Sequence, residues 1–275
     1  ILNELKSTFG NIVITVNELF DLTSFINEHT VNPFNGYRNF SIQPFGFRKR
    51  NELIKRWYSV GSNKFEDESL LFNKVDKAEK NIGIIISKNL IPPAPIYLLT
   101  LMQSMEAGHG SELNESSLGE YYRFLITQSL LNNGIKRENL TEYFEYLCQL
   151  SWYVHQNARE QLTHEEVSNF NSIFSNERHT VELRTRLGEL CAANILSNYG
   201  GLYSFKYPYI YYFFKGLYLS DNIELHVCVE HINHCFKHLY VRSNAHTILF
   251  LAHHAGSSST RTLIECMKHA MSSLF

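Results

Sequence analysis

Between Phe205 and Ser220 the chain reads F-K-Y-P-Y-I-Y-Y-F-F-K-G-L-Y-L-S. Eight of the first fourteen of these residues are aromatic, against 13% of the whole sequence. So much aromatic surface needs an interior to enter, and each buried tyrosine hydroxyl needs a hydrogen-bond partner. Two glycines precede the stretch, in N-Y-G-G-L-Y-S, and signal a turn. The expected geometry is that turn, a short strand over 202–206 and a helix from Pro208. Proline suits a first helical turn, whose N–H groups have no intrahelical partner to lose. Phe205, Tyr209, Tyr212, Phe213, Gly216 and Leu217 then recur at helical spacing and form one broad apolar face. The plain reading is a core strand and helix at a domain junction.

The length, 275 residues, allows one sizeable core or several small domains. The hydrophobic content of 44% and charged content of 19% are those of a folded globular protein. A net charge of −2 gives no basic excess of the kind that marks nucleic-acid binders. No apolar run is long enough for a membrane span. Cys148, Cys191, Cys228, Cys235 and Cys266 are scattered, odd in number and without a C-x-x-C pair, so reduced thiols in a cytoplasmic protein are expected. The sequence opens on Ile-Leu-Asn, without Met or a basic leader, and reads as a segment of a longer protein.

Taken in order, Ile12–Val16 is a β-branched apolar run that suits a strand buried on both faces. A short helix is expected over 22–29 and a further short strand over 40–45. Arg48–Val60 reads as a helix carrying Arg48, Lys49, Arg50, Lys55 and Arg56, a basic cluster whose default is a solvated face. A long helix follows over 65–87, with Leu70, Leu71, Val75, Ala78, Ile82, Ile85 and Ile86 on its apolar side. Pro92, Pro93 and Pro95 delay the next helix until Pro95. The polar loop 107–115 marks a boundary. Helices are then expected over 116–131, 141–156, 163–174 and 181–196. Thr163 and Glu166 have the spacing of a capping box at the start of the third. After the aromatic helix come helices over 223–240, 246–255 and 260–275, the last two separated by Gly256-Ser257-Ser258-Ser259.

Motifs of chemistry are few. No G-x-x-x-x-G-K-[ST] phosphate loop occurs, nor G-x-S-x-G, H-E-x-x-H or a kinase set. Of thirteen histidines, eight follow the aromatic helix, and His231, Cys235 and His238 have spacings at which zinc accepts imidazole and thiolate. Structural zinc sites generally show C-x-x-C pairs, so core or surface histidines are the default.

The order of segments resembles the part of a bacterial STAND (NACHT-like) signalling NTPase that follows its Walker motifs. I-V-I-T-V-N-E-L-F-D-L resembles the sensor strand, and S-I-Q-P-F-G-F-R-K-R-N-E-L-I-K-R-W-Y-S-V-G the element leading out of the nucleotide domain. I-P-P-A-P-I-Y-L-L-T-L-M-Q resembles the lid segment whose proline touches adenine. F-K-Y-P-Y-I-Y-Y-F-F-K-G-L-Y-L resembles the end of the winged helix, and H-L-Y-V-R-S-N-A-H-T-I-L-F-L-A-H-H a stretch of trailing helices. The resemblance implies a mainly α fold. It would comprise an NTPase-domain remnant with one or two strands over 1–60, a helical lid over 61–108, a winged-helix-like domain with a β wing over 109–208, and a C-terminal helical domain over 209–275.

It also implies cofactor-binding roles. Pro95 matches the adenine-contacting proline. Tyr207 replaces the histidine that sits near the β-phosphate, keeping a hydrogen-bond donor but no charge. Asn17 lies near the position of a sensor arginine. ATP or ADP with Mg is implied for the intact parent and none for the segment alone, with no catalytic or metal residue in the segment. The implied partners are the upstream nucleotide-binding domain, further copies of the chain on activation and a viral protein as trigger, in antiphage defence. No membrane partner is implied and nucleic acid is not expected. Two other readings stand beside this one. One is a helical protein-interaction module with no nucleotide role. The other is a DNA-binding winged helix, against which Glu165 and Glu166 weigh in the expected recognition helix over 163–175.

Overall fold

A computed structural model describes residues 8–14, 38, 40, 42–60, 68–87, 93–105, 118–178 and 180–272. The chain divides into two compact units, Ile1–Gln43 and Pro44–Phe275. In the first, the described residues 9–14, 38, 40, 42 and 43 belong to no helix or strand. The strands expected at 12–16 and 40–45 are therefore not formed over their described residues. Val13 is 92% exposed and Ile42 94%. A strand buried on both faces needs neighbours to satisfy its backbone, and none pairs with it among the described residues. The helix expected over 22–29 lies outside the described residues.

The second unit is mainly helical, with eleven helices and one small sheet among its described residues. It opens with α1 (Phe47–Ser59), α2 (Glu68–Ser87) and α3 (Pro95–Ser104), which pack on one another. Ile54, Ala78, Ile82, Ile85, Leu98, Leu101 and Met102 are fully buried in this part of the core. Arg50 departs from the basic cluster of α1. It is buried, with its Nη2 atom 3.2 Å from Glu79 Oε1 on α2, whereas Arg48 and Lys49 stay exposed beside Glu52.

Next come α4 (Leu118–Asn132), a 3₁₀ turn, α5 (Leu140–Gln156), β1 (Leu162–Thr163), α6 (His164–Glu177), α7 (Leu183–Ala192), β2 (Leu196–Tyr199) and β3 (Leu202–Phe205). The strands form an antiparallel sheet of order β1-β3-β2, with Leu162 opposite Tyr203 and Leu196 opposite Phe205. The β2–β3 turn places Gly200 at φ 58° and Gly201 at φ 84°, and Asn198 Oδ1 accepts from the Gly201 N–H at 3.2 Å. Two successive positive φ values are what a two-residue hairpin turn demands, and glycine supplies them without a Cβ clash. The capping box forms: Thr163 Oγ1 accepts from the Glu166 N–H, and Glu166 Oε2 accepts from the Thr163 N–H at 2.7 Å.

The helix expected over 181–196 is shorter. It stops at Ala192, Asn194 turns the chain at φ 53°, and Leu196 starts β2. Pairing with β3 wins over continued helix because Leu196 is buried in the sheet.

The chain ends in α8 (Pro208–Asp221), α9 (His226–Lys237), α10 (Arg242–His254) and α11 (Ser257–Ser272). The aromatic stretch is the central helix, α8. It packs on α10, α5 and α4 and is buried nearly all round, including Tyr209, Ile210, Phe213, Phe214 and Leu219. Gly216 lets α10 approach so closely that a Cβ there would lie 2.7 Å from the Phe250 carbonyl carbon. The separator expected at Gly256–Ser259 is shorter: the break is Ala255–Gly256, α11 begins at Ser257, and Thr260 N–H already bonds Gly256 O at 2.9 Å. Burial of Leu263, Cys266 and Ala270, on a helix that packs against α9, outweighs the poor helix preference of the serines.

Candidate functional site at the junction of α3 and α8

The proline-rich segment and the start of the aromatic helix meet. Pro93 O accepts from the Phe45 N–H at 3.0 Å, which fixes the chain just ahead of α3. Pro95 is the first residue of α3 and is exposed. Two residues on, the Tyr97 ring packs edge-on against Tyr207, with centroids 5.5 Å apart and planes at 85°. Tyr207 has extended backbone, φ −133° and ψ 146°, and is the residue from which α8 starts, with Pro208 inside the first turn. The strand-to-helix corner therefore aims Tyr207 at α3.

Burial first, and the neighbouring Tyr207 phenol second, push the Tyr97 phenol above the usual tyrosine range. From Tyr207 the rings continue inward. Tyr207 stacks on Tyr209 at 6.0 Å, Tyr209 on Tyr122 of α4 at 5.6 Å, and Tyr122 meets Phe250 of α10 at 4.8 Å. The hydroxyls of Tyr121 and Tyr122 are buried without a hydrogen-bond partner among the described residues. Burial raises the phenols of Tyr121, Tyr122 and Tyr209, so these three stay neutral and act as donors, acceptors and packing surface.

Of the residues singled out in the sequence, Tyr207 meets Tyr97 of α3, and Pro95 begins that helix two residues before Tyr97. Asn17 lies outside the described residues. Tyr97 was not picked out by sequence reasoning. Tyr97 sits in I-P-P-A-P-I-Y-L-L, where a lone tyrosine amid aliphatic residues signals a buried hydroxyl in need of a partner.

The histidine cluster does not assemble as zinc ligands. His231 Nε2 lies 3.5 Å from Cys235 Sγ, but His238 turns its Nδ1 to the His234 carbonyl at 2.8 Å. Among the described residues no group of three His, Cys, Asp or Glu side chains is placed to hold a metal ion. Burial pushes the Cys235 thiol up to about 11, which keeps the free thiol protonated and poorly nucleophilic at neutral pH. No helix among the described residues is long and apolar enough to cross a membrane.

No curated protein sequence matches the chain. Residues 160–215 match the family described as Novel STAND NTPase 4. The matched span starts just before β1, takes in α6, α7 and the β2–β3 hairpin, and ends within α8, so Tyr207 lies inside it. The match supports a STAND NTPase segment over these residues and, for the chain, a role related to STAND-type NTPases.

Proposed function

We propose that the chain is the regulatory part of a STAND-type NTPase, in which α2 and α3 act as a helical lid and α4–β3 as a winged helix that close together over ADP. The observation that carries this reading is the Tyr97–Tyr207 contact. It joins the proline-led helix that would meet adenine to the corner residue that would stand near the β-phosphate. A helix–strand–helix–helix–hairpin order with sheet order β1-β3-β2 supports the winged-helix assignment. In the closed form Pro95 faces adenine and Tyr207 offers its hydroxyl to the nucleotide. Exchange for ATP swings the lid from the winged helix and frees surfaces for oligomerisation, a hinge motion between packed elements. The phosphate loop, Mg and the hydrolytic water belong to an upstream domain, in a cytoplasmic protein of antiphage defence answering a viral trigger.

A DNA-binding reading is less well supported. The helix that runs into the hairpin is α7, not α6. Of its two arginines, Arg186 is buried beside Glu142 and only Arg184 is exposed. Phosphate contacts call for several free cations. Calorimetric titration tests the proposal. ADP and Mg-ATP should give no specific heat with the 275-residue chain and should bind once the upstream domain is attached. Micromolar affinity of the chain alone would overturn it, as would an upstream sequence without a phosphate loop.

A further inference from the structure

Away from the tyrosine junction, three basic side chains converge between α5, α8 and α9. The rings of His155 (α5) and His231 (α9) face each other with centroids 4.0 Å apart. Trp152 lies 4.8 Å from His155 and stacks flat on Tyr218 of α8, closing one side. Lys215 of α8 is only 5% exposed, with its Nζ 5.7 Å from the centre of the Tyr211 ring. Lys215 forms no ion pair with a carboxylate among the described residues, although buried cations are ordinarily paired. We propose that this seam is an acid-sensitive release, in which protonation of His155 and His231 beside Lys215 parts α9 from α5 while α10 stays seated on α8.

The charged and titratable groups around the rings give them no relief. On α8 they are Lys215, Tyr211 and Tyr218. On α9 they are His234 and Cys235. Glu160, in the turn after α5, acts on Tyr211 and Tyr212, and Glu177 and Arg178 of the α6 end act on Tyr218. From α10, Asn244 reaches Cys235, and Arg242 acts on Tyr212. The charges that act on the two imidazoles are Lys215, His234 and, for His231, His155. All are basic. Burial, then the field of Lys215, pushes His155 down to about 4 and His231 down to about 3.

In an open state both rings return to the ordinary histidine value of about 6.5 and take up protons that the closed seam refuses. The contact is therefore at full strength above that pH. It weakens as pH falls from there toward the closed-state values, by about tenfold per pH unit for each ring. Position decides what yields. α8 and α10 touch backbone to backbone at Gly216, whereas α9 meets α5 through this cluster and otherwise leans on α10 and α11. The inference holds whether or not the chain closes over a nucleotide.

Segment-resolved hydrogen exchange on the 275-residue chain, corrected for intrinsic rates, tests it. Between pH 7 and pH 5, protection of 226–237 should fall at least tenfold more than protection of 68–87. His155→Gln with His231→Gln should remove that difference. His254→Gln should keep it, since His254 is a separately buried histidine that bonds the Phe213 carbonyl at 3.1 Å. Equal protection at both pH values, or a difference that survives the double substitution, overturns the proposal. Should the double variant fail to fold, imidazole NMR titration of the unmodified chain decides. Both rings staying neutral through pH 5.5 supports the release, and ordinary titration near pH 6.5 overturns it.

Discussion

Gly216→Ala places a methyl group where the α8–α10 crossing has no room. The new Cβ would sit 2.7 Å from Phe250 C, 2.8 Å from Leu251 N and 2.9 Å from Phe250 Cβ. Two of these atoms are backbone, so no side-chain rotation relieves the clash and the helices themselves must separate. Overpacking of this kind costs about 1–3 kcal/mol. Alanine returns roughly 0.5–1 kcal/mol through its better helix preference. With backbone atoms in the way the steric cost wins, for a net loss of up to about 2.5 kcal/mol. Gly83→Ala supplies the internal control. Gly83 also lies within a helix, α2, but an added Cβ there meets nothing within 4 Å. Only the preference remains, so Gly83→Ala should stabilise by about 0.5–1 kcal/mol. Urea unfolding followed by circular dichroism reads both. The midpoint should fall for Gly216→Ala and rise for Gly83→Ala. A rise for both would refute the close approach of α8 and α10.

Two further substitutions address the polar contacts that tie α5 to α6 and α7. Asn171 accepts from the Tyr146 hydroxyl at 3.2 Å and donates to Val181 O at 3.0 Å, so Asn171→Ala strands two buried groups and should cost about 2–4 kcal/mol in urea unfolding. Arg186 is buried over the Tyr143 ring at 3.8 Å and pairs with Glu142, which is a third exposed. Arg186→Ala should therefore cost about 2–3 kcal/mol, less than loss of a fully buried ion pair, with high salt making little difference.

The parts legible in the sequence were those set by neighbours along the chain. Gly200 and Gly201 gave the hairpin turn, Pro208 the helix start, and Thr163 with Glu166 the capping box, because each is a local backbone requirement. The parts that depend on distant partners were not legible. β1 is two residues long and exists by pairing with Leu202 and Tyr203, some forty positions on. Asn194 turns the chain out of α7 because Leu196 must reach Phe205. Lys215 lies in the aromatic run, and nothing in spacing along the chain brings His155 and His231 to it. The Tyr97–Tyr207 contact joins residues over a hundred positions apart, so the sequence supplied Pro95 and Tyr207 separately and left their linking residue unmarked. Ile12–Ile14 has the composition of a buried strand, yet composition alone does not supply the strands that would flank it.

The claim that lid and winged helix close over ADP through the Tyr97–Tyr207 clasp is tested most directly by ADP affinity in the protein carrying its upstream domain. Tyr97→Phe and Tyr207→Phe each keep the ring contact and remove a hydroxyl. A hydroxyl's hydrogen bond is worth about 0.5–1.5 kcal/mol net, and about 1.4 kcal/mol is tenfold in an equilibrium. Each variant should weaken ADP binding by up to roughly tenfold and leave ATP binding less affected. The double variant should be weaker than either by less than the product of the two effects, since the two residues touch and their substitutions couple. ADP affinities equal to that of the unmodified protein, in variants that remain folded, would contradict the account and leave Tyr97 and Tyr207 as packing residues.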